Sequence, residues 1–301
     1  MLDTDLHYSV FLIFAAYMKA EKDLLQKFIA DALAEDLGDG DHTSLSTIPE
    51  GMKGSAKLLI KEIGVIAGID VAIEIFKQVD PLLKVEVLIQ DGQTVKYGDV
   101  ALIVSGSTYS ILIAERLVLN TLQRMSGIAS TTNRVVHQLQ KTNTKVLDTR
   151  KTTPNMRFLE KLAVKIGGGV NHRFGLYDMI LIKDNHVDYA GGISQALTAA
   201  KNYVQAKQLA LQIEIEIRTL DELKEVISCG QVDRILLDNL PLEVLREAVA
   251  LVDGKFITEA SGGITEDNVL DYALCGVDYV SMGALTHSIK SLDMSLKAIK
   301  N

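Results

Sequence analysis

The chain has 301 residues, of which 48% are hydrophobic and 23% charged, a composition typical of a globular protein with a substantial core. Its formal net charge of −8 argues against nucleic-acid binding, which needs a basic surface. The two cysteines, Cys229 and Cys275, lack the spacing of a zinc site, and we expect no disulfide. A reducing compartment fits this usage, so we predict a cytoplasmic protein.

The first residues form a segment apart from the rest. The apolar run from Val10 to Tyr17 is shorter than the roughly 20 residues that a membrane-spanning helix needs. Asp3 and Asp5 precede it, where a signal peptide would carry Lys or Arg. We therefore interpret residues 1–19 as an N-terminal extension, and we expect no membrane partner.

Residues 20–130 predict a first domain that mixes helices and strands. Helical spacing of apolar residues predicts helices over 20–36, Ile69–Val79 and 110–140, with an interruption at Gly127. Arg116 lies off the buried stripe of the third helix. Strands are predicted over Lys57–Ile60, Lys84–Ile89 and Val100–Val104.

After residue 144 the pattern changes to strand, loop and helix, repeated six times. Such alternation indicates parallel strands with helices outside, and we predict an open TIM-like α/β barrel over residues 131–285. We expect a last helix, over residues 286–301, to pack on the first domain. The predicted strands are Lys145–Thr149, Met179–Lys183, Gln212–Ile217, Arg234–Asp238, Phe256–Ala260 and Tyr279–Met282, and the helices between them are Met156–Ile166, Ser194–Ala206, Leu220–Ile227, Leu242–Leu251 and Glu266–Leu274.

Each of the six strands ends in polar or glycine-rich residues. Active sites of such barrels lie at the C-terminal ends of the strands. Polar loops explain one or two of these ends, but not Lys183 and Glu216, which lie inside otherwise apolar strands where an unpartnered charge is costly. The strand ends therefore predict one shared site.

The segment from Lys145 to Asn185 is a cationic island. It has eight Lys or Arg against four Asp or Glu, which is net +4 and leaves the rest of the chain at −12. Arginine binds carboxylates in a bidentate way, so Arg150, Arg173 and Arg116 are suited to a dicarboxylate. The island therefore predicts a small anionic substrate.

Point charges, acids and glycines complete the predicted site. Lys151 and Lys183 are suited to phosphates, while Glu216 and Asp238 are suited to sugar hydroxyls or a hydrated Mg²⁺. Two glycine-bearing loops follow the last two strands, where these barrels bind phosphate through backbone amides. The loops are Ser261-Gly262-Gly263 and Gly283-Ala284, with His287 as a further phosphate candidate.

Four motifs together resemble the quinolinate phosphoribosyltransferase family. They are Asp148-Thr149-Arg150-Lys151-Thr152-Thr153-Pro154, Gly167-Gly168-Gly169-Val170-Asn171-His172-Arg173, Leu181-Ile182-Lys183-Asp184-Asn185-His186 and Ala260-Ser261-Gly262-Gly263-Ile264. The resemblance runs from about residue 20 to the end. It departs at Asn155, where glycine is expected, although Asn tolerates the same left-handed turn.

The resemblance implies the type II phosphoribosyltransferase fold, an α/β sandwich domain followed by the open barrel. It implies decarboxylating transfer to quinolinate from Mg²⁺-phosphoribosyl pyrophosphate, in a homodimer or a hexamer of dimers where Arg116 reaches the neighbouring barrel. Thr149, Arg150, His172, Arg173 and Lys183 would then surround quinolinate. Lys151, Glu216 and Asp238 would face phosphoribosyl pyrophosphate, the two acids meeting the metal through substrate and water, and Ser261–Gly263, Met282–Ala284 and His287 would hold the 5′-phosphate.

Three other readings remain open from the residues. A related phosphoribosyltransferase would use another pyridine carboxylate without decarboxylation, but a monocarboxylate needs fewer cations than this chain offers. A barrel aldolase or phosphosugar isomerase would use Lys183 as a Schiff base, which leaves the arginines unexplained. The turns Asp91-Gly92 and Gly98-Asp99 resemble a lipoyl carrier hairpin, but they lack a modifiable lysine.

Overall fold

The computed structural model describes residues 22–299, so the predicted extension over residues 1–19 lies outside the described part. The chain divides into two compact units. The first holds the residues up to Gly127, Pro154–Leu159 and the segment from Lys290, and the second holds Ile128–Thr153 and Glu160–Ile289. Within residues 22–299, every helix is too short or too polar to cross a membrane.

The first unit begins with helix α1, residues 22–37. The three predicted strands are found with shifted bounds, whereas three shorter elements, α2, β2 and β4, were not predicted. Helix α3 has the predicted bounds because Ala72, Ile75 and Phe76 place one apolar face in the core. The elements are α2 (His42–Thr47), β1 (Lys53–Ile60), β2 (Gly64–Val65), α3 (Ile69–Val79), β3 (Lys84–Val87), β4 (Thr94–Val95) and β5 (Val100–Ser107).

Helix α4 (Thr108–Leu139) is continuous, so the predicted interruption at Gly127 is wrong. A glycine is needed at this position for a different reason, because two backbone segments approach each other closely. A Cβ atom at Gly127 would lie 2.3 Å from the carbonyl oxygen of Lys290. The glycine therefore makes room for a neighbouring segment and does not break the helix.

The second unit repeats the strand and helix pattern. Helix α6 directly follows β7 and was not predicted, because its seven residues are too few to show helical periodicity. The elements are β6 (Lys145–Leu147), α5 (Arg157–Ile166), β7 (Ile180–Ile182), α6 (Asp184–Ala190), α7 (Ile193–Ala206), β8 (Ile213–Ile217), α8 (Leu220–Cys229), β9 (Arg234–Asp238), α9 (Leu242–Val252), β10 (Ile257–Ser261), α10 (Val269–Ala273) and β11 (Tyr279–Ser281).

These six strands form one parallel sheet in the order β6-β11-β10-β9-β8-β7. The sheet has β6 and β7 at its two edges, which is the open α/β barrel that the sequence predicts. The central strands are almost entirely buried, as expected for a parallel sheet covered by helices. Their C-terminal ends therefore meet on one side of the unit.

The predicted last helix over residues 286–301 is wrong. Helix α11 (Ala284–His287) has only four residues, and β12 (Met294–Ala298) follows. This strand pairs antiparallel with β1, from Ala56 opposite Ala298 to Ile60 opposite Met294, in a sheet of order β12-β1-β5-β3. Met294 and Leu296 are buried while Ser295 is partly exposed, so this stretch follows the two-residue period of a strand, and pairing with β1 satisfies its backbone.

Candidate active site

The C-terminal ends of the six strands surround a cavity of about 770 Å³. All residues that line it belong to the second unit. The structure therefore brings together side chains that lie more than 130 residues apart in sequence. The predicted site residues that line it are Thr149, Arg150, Lys151, His172, Arg173, Lys183, Glu216, Asp238, Ser261, Gly262, Gly263, Gly283, Ala284 and His287.

Two predicted site residues do not line this cavity. Arg116 lies on α4 in the first unit, where it is exposed. Met282 is buried, and its backbone N–H donates to the carbonyl oxygen of Leu147 at 2.9 Å. Met282 therefore helps to join β6 to the loop after β11.

A buried ion pair fixes the loop after β6. Lys161 on α5 donates through Nζ to the carboxylate of Asp148, and both side chains are almost completely buried. The same Nζ donates to the carbonyl oxygen of His172 at 3.1 Å, while the backbone N–H of His172 donates to Asp148 Oδ1 at 2.9 Å. Burial raises the pKa of Asp148, and the charge of Lys161 opposes that effect. The pair thus ties together two loops, one carrying Arg150 and the other carrying Arg173.

The glycine run before His172 is a closely packed segment. A Cβ at Gly167 would lie 2.5 Å from the carbonyl oxygen of Ala129, and one at Gly169 would lie 2.8 Å from the Thr132 side chain. Both partners belong to α4. These glycines let the loop approach the helix closely, and they thereby set the path of the chain into His172 and Arg173.

His172 is held from below by two buried carboxylates. Its Nε2 lies 2.9 Å from Oε2 of Glu214 on β8 and 3.4 Å from Oε2 of Glu259 on β10. Arg234 on β9 donates to Glu259 at 3.1 Å and lies over the ring of Tyr279, 4.7 Å from its centroid. Three neighbouring strands thus contribute to one charged network at the cavity wall.

The network favours a charged imidazole ring. Burial lowers the pKa of His172, but hydrogen bonds to Glu214 and Glu259 outweigh burial and raise it to about 9. Burial raises the pKa of Glu214, whereas the hydrogen bond from His172 overcomes burial at Glu259 and lowers the pKa of that carboxyl. His172 is therefore an imidazolium at neutral pH, and it adds a positive charge to the cavity wall.

Arg173 brings a second buried cation to the same wall. It is only 9% exposed, and its Nη1 donates to the carbonyl oxygen of Met179 at 3.2 Å. Burial, followed by repulsion from Arg150, lowers the pKa of Arg173. Two guanidinium groups close enough to repel each other are stabilised by an anion between them.

Two acids line the cavity at the ends of β8 and β9. Glu216 Oε2 accepts from Lys183 Nζ at 3.0 Å. Asp238 Oδ2 accepts from Nδ2 of Asn239 at 2.6 Å. Two carboxylates and one ammonium group therefore face the same cavity, and oxygen ligands of this kind suit Mg²⁺ and its water shell.

The two glycine loops close the cavity on the side of β10 and β11. Gly262 has φ of +100°, and a Cβ there would lie 2.2 Å from the Asn239 side chain. A Cβ at Gly283 would lie 3.0 Å from Cδ of Lys151 and 3.1 Å from the His287 ring. Bare backbone at both loops allows close approach of a phosphate, as the sequence predicts.

Sequence reasoning missed Lys161 and Arg234 as supports of this site. A signal existed for Lys161, since it lies at helical spacing among the buried residues Leu159, Ala163 and Val164 of α5. A lysine on an apolar helix face requires a buried acid as partner. Arg234 begins its strand, far in sequence from Glu259, and we find no sequence signal for that pair.

The fold and the cavity together define an open α/β-barrel enzyme that binds a small substrate with several anionic groups. Paired arginines, an imidazolium, two lysines and two glycine loops converge there. The chain belongs to the quinolinate phosphoribosyltransferase family. It matches the family's C-terminal domain over residues 128–297 and its N-terminal domain over residues 41–126.

Known proteins agree with this assignment. The chain is 46% identical to "Quinolinate phosphoribosyltransferase [decarboxylating] 2b, mitochondrial" of Nicotiana tabacum, covering 91% of this chain and 82% of the relative. It is 42% identical to "Probable nicotinate-nucleotide pyrophosphorylase [carboxylating]" of Bacillus subtilis, covering 90% and 92%. The solved nicotinate-nucleotide pyrophosphorylase of Francisella tularensis superposes with a TM-score of 0.87 at 38% identity, covering 92% and 96%. The predicted family and fold class are confirmed.

Proposed function

We propose that this chain transfers the phosphoribosyl group of phosphoribosyl pyrophosphate to quinolinate, in the biosynthesis of NAD. The products are nicotinate mononucleotide, carbon dioxide and pyrophosphate. The observation that carries the proposal is the cluster of buried cations at the strand ends of a chain that belongs to this family. No protein nucleophile is needed, because the ring nitrogen of the substrate attacks the ribosyl carbon directly.

The cations divide between the two substrates. Arg150, His172, Arg173 and Lys183, with Thr149 beside them, surround the carboxylates of quinolinate. Lys151 faces the pyrophosphate, and the loops Ser261–Gly263 and Gly283–Ala284 hold the 5′-phosphate through backbone amides, with His287 next to them. Catalysis then comes from positioning and from electrostatic stabilisation of the leaving group.

Glu216 and Asp238 face the sugar and the pyrophosphate. Their carboxylates are oxygen donors that would hold a hydrated Mg²⁺ ion beside the substrate. When bound, the ion neutralises charge on the leaving pyrophosphate. The same acids stabilise the positive charge that develops on the ribosyl carbon, and Lys183 orients Glu216 through their 3.0 Å hydrogen bond.

The other readings are less well supported. A phosphoribosyltransferase that does not remove a carboxylate would need fewer cations than the two arginines, imidazolium and lysine that line this cavity. A Schiff base at Lys183 conflicts with its ion pair to Glu216. The turn at Asp91 serves the scaffold, since Asp91 Oδ1 accepts from the backbone N–H of Ile69 at the start of α3.

Release of labelled carbon dioxide tests the proposal. Quinolinate labelled in the 2-carboxylate is incubated with phosphoribosyl pyrophosphate, Mg²⁺ and the protein. We expect labelled gas and nicotinate mononucleotide in equal amounts, and none without phosphoribosyl pyrophosphate. Conversion of nicotinate at the rate of quinolinate, without gas release, would favour the alternative phosphoribosyltransferase.

The assembly and the location are further parts of the proposal. We infer a homodimer, alone or within a hexamer of dimers, where Arg116 of one copy completes the cavity of the other. The exposed position of Arg116 is compatible with this role, because its guanidinium group is available to a neighbouring copy. A cytoplasmic location remains a prediction from the cysteine usage.

A further inference from the structure

Loss of the 2-carboxylate requires a proton donor. When the bond between C2 and the carboxylate carbon breaks, its electron pair stays on C2, beside the cationic ring nitrogen. That pair must then take a proton to form the C2–H bond of the product. An acid positioned in the site can supply this proton faster than solvent does.

We propose that His172 is the acid that protonates C2 as carbon dioxide leaves. The inference rests on the proposed function, because only a decarboxylating reaction needs a proton at that carbon. The imidazolium gives its Nδ1 proton to C2 and becomes a neutral imidazole. Solvent restores the proton once the product has left, so atoms and charge balance over the cycle.

The geometry leaves Nδ1 free for this task. Nε2 is engaged by Glu214 at 2.9 Å and Glu259 at 3.4 Å, and both carboxylates are almost completely buried. Nδ1 has no hydrogen-bond partner among residues 22–299, and it is not one of their fully buried unsatisfied atoms. His172 lines the cavity, and we infer that this accessible ring nitrogen faces the substrate.

The surroundings of His172 hold its proton in place until it is needed. Two carboxylates bind Nε2 and raise the pKa of the ring to about 9, although burial alone would lower that pKa. The electron pair that remains on C2 is then what draws the Nδ1 proton away from the ring. The charged groups around the ring are Glu214 from β8, Arg234 from β9, Glu259 from β10, Asp148 after β6, Lys161 from α5 and the neighbouring Arg173.

The other cations of the cavity are poorer acids. Arginine does not release its proton in proteins, which excludes Arg150 and Arg173. Lys183 Nζ is directed to Glu216 at 3.0 Å, and the ring of His287 is bonded through Nδ1 to Ser288 at 2.6 Å. His172 is thus the group whose ordinary chemistry and contacts both suit proton donation.

The first test is the pH dependence of kcat/KM for quinolinate, which reports groups of the free enzyme. In the wild type we expect the rate to fall as pH rises through about 9, because the imidazolium is lost. Glu214→Gln removes one nearby negative charge with little change in shape, so the fall should move roughly 1–3 pH units lower. Glu259→Gln should do the same, and it serves if the first variant fails to fold. His137→Gln, an exposed histidine on α4, is the matched control and should keep the wild-type profile.

The second test follows the hydrogen that reaches C2. In equal volumes of H2O and D2O, the deuterium fraction at C2 of the product depends on the group that delivers the hydrogen. His172→Gln should form product more slowly and with a changed deuterium fraction, because water then replaces the imidazolium. A merely structural role for His172 would slow the reaction without altering that fraction.

Two outcomes would overturn the inference. One is an unchanged high-pH limb in both glutamine variants, and the other is an unchanged deuterium fraction in His172→Gln. Either result, obtained with an enzyme that releases carbon dioxide, would limit His172 to substrate binding. Absence of carbon dioxide release from the wild type is a separate result, since it contradicts the proposed function itself.

Discussion

Arg173 and Arg150 lie close enough to repel each other, and Arg173 is almost fully buried. Burying one cation beside another is costly without an anion to share. A carboxylate that binds both groups offsets this free-energy cost, so the two arginines are already positioned for an anionic substrate in the free protein. The geometry of the guanidinium fork matters here, because a carboxylate accepts two parallel hydrogen bonds from it.

Arg173→Lys should therefore lose much more activity than conservation of charge suggests. We expect kcat/KM for quinolinate to fall roughly 10- to 100-fold, since a hydrogen bond to a charged group is worth about 1.5–3 kcal/mol. Steady-state kinetics measure the loss. Arg218→Lys, an exposed arginine paired with Glu222 outside the cavity, is the control. Wild-type efficiency in Arg173→Lys would remove the carboxylate role.

Lys161 supports the site from within the core. Its removal would leave the Asp148 carboxylate buried without its charged partner. Because breaking a buried ion pair costs about 3–5 kcal/mol, we expect Lys161→Met to lower the free energy of unfolding by that amount. Urea denaturation measures it. Lys165→Met, an exposed position on the same helix, should change stability by less than about 0.5 kcal/mol. Equal stability of the two variants would contradict the role given to the pair.

At the level of elements, carboxylates at the two ends of the parallel strands have different roles. Glu216 and Asp238 line the cavity at the C-terminal ends of β8 and β9. Asp278, just before β11, instead accepts from the backbone N–H and the hydroxyl of Thr258, both at 2.8 Å. In barrels of this kind, the C-terminal side serves chemistry and the other side serves stability.

Glu216→Ala and Asp238→Ala should consequently fold like the wild type and lose turnover. Neither carboxylate is needed to hold its strand in the sheet, and each faces the bound sugar in the proposed function. Asp278→Asn should show the reverse, a lower Tm with nearly normal kcat. Thermal unfolding and steady-state assays on all three variants decide the matter. Retained turnover with a lowered Tm in the first two would make them structural residues.

At the level of the whole molecule, charge is distributed unevenly. The chain carries −8 in total, while the segment from Lys145 to Asn185 carries +4. An anionic substrate is repelled by most of the surface and attracted to one place, which concentrates it at the cavity. Arg116 lies outside both that segment and the cavity, on an exposed face of α4.

Mixing two inactive variants tests whether Arg116 serves a neighbouring copy. Arg116→Ala and Lys151→Ala should each be inactive alone. In a mixed dimer, one site inherits both defects and the other inherits neither. Random exchange of equal amounts puts half of the subunits into mixed dimers, so about one quarter of wild-type activity should return. If mass spectrometry shows exchange and no activity returns, Arg116 does not complete a neighbour's site.

Local signals in the sequence determined most of the barrel and the cavity wall. β9 has its predicted bounds because a buried parallel strand is a continuous apolar run, which needs no distant partner to be recognised. The strand-end residues could be grouped in advance for a similar reason, since parallel strands deliver their C-terminal ends to one side. Arg150, Lys183 and Glu216 were therefore predictable as neighbours.

Only the tertiary structure decided features that depend on distant partners. Residues 294–298 form a strand because β1 offers an open edge, and this pairing replaces the helix predicted over residues 286–301. Gly127 stays inside a helix because Lys290 passes beside it, 163 residues further along the chain. The charge of His172 depends on Glu214 and Glu259, which reach it from two other strands. In each case the decisive energy comes from a contact between residues far apart in sequence, and local periodicity carries no information about such contacts.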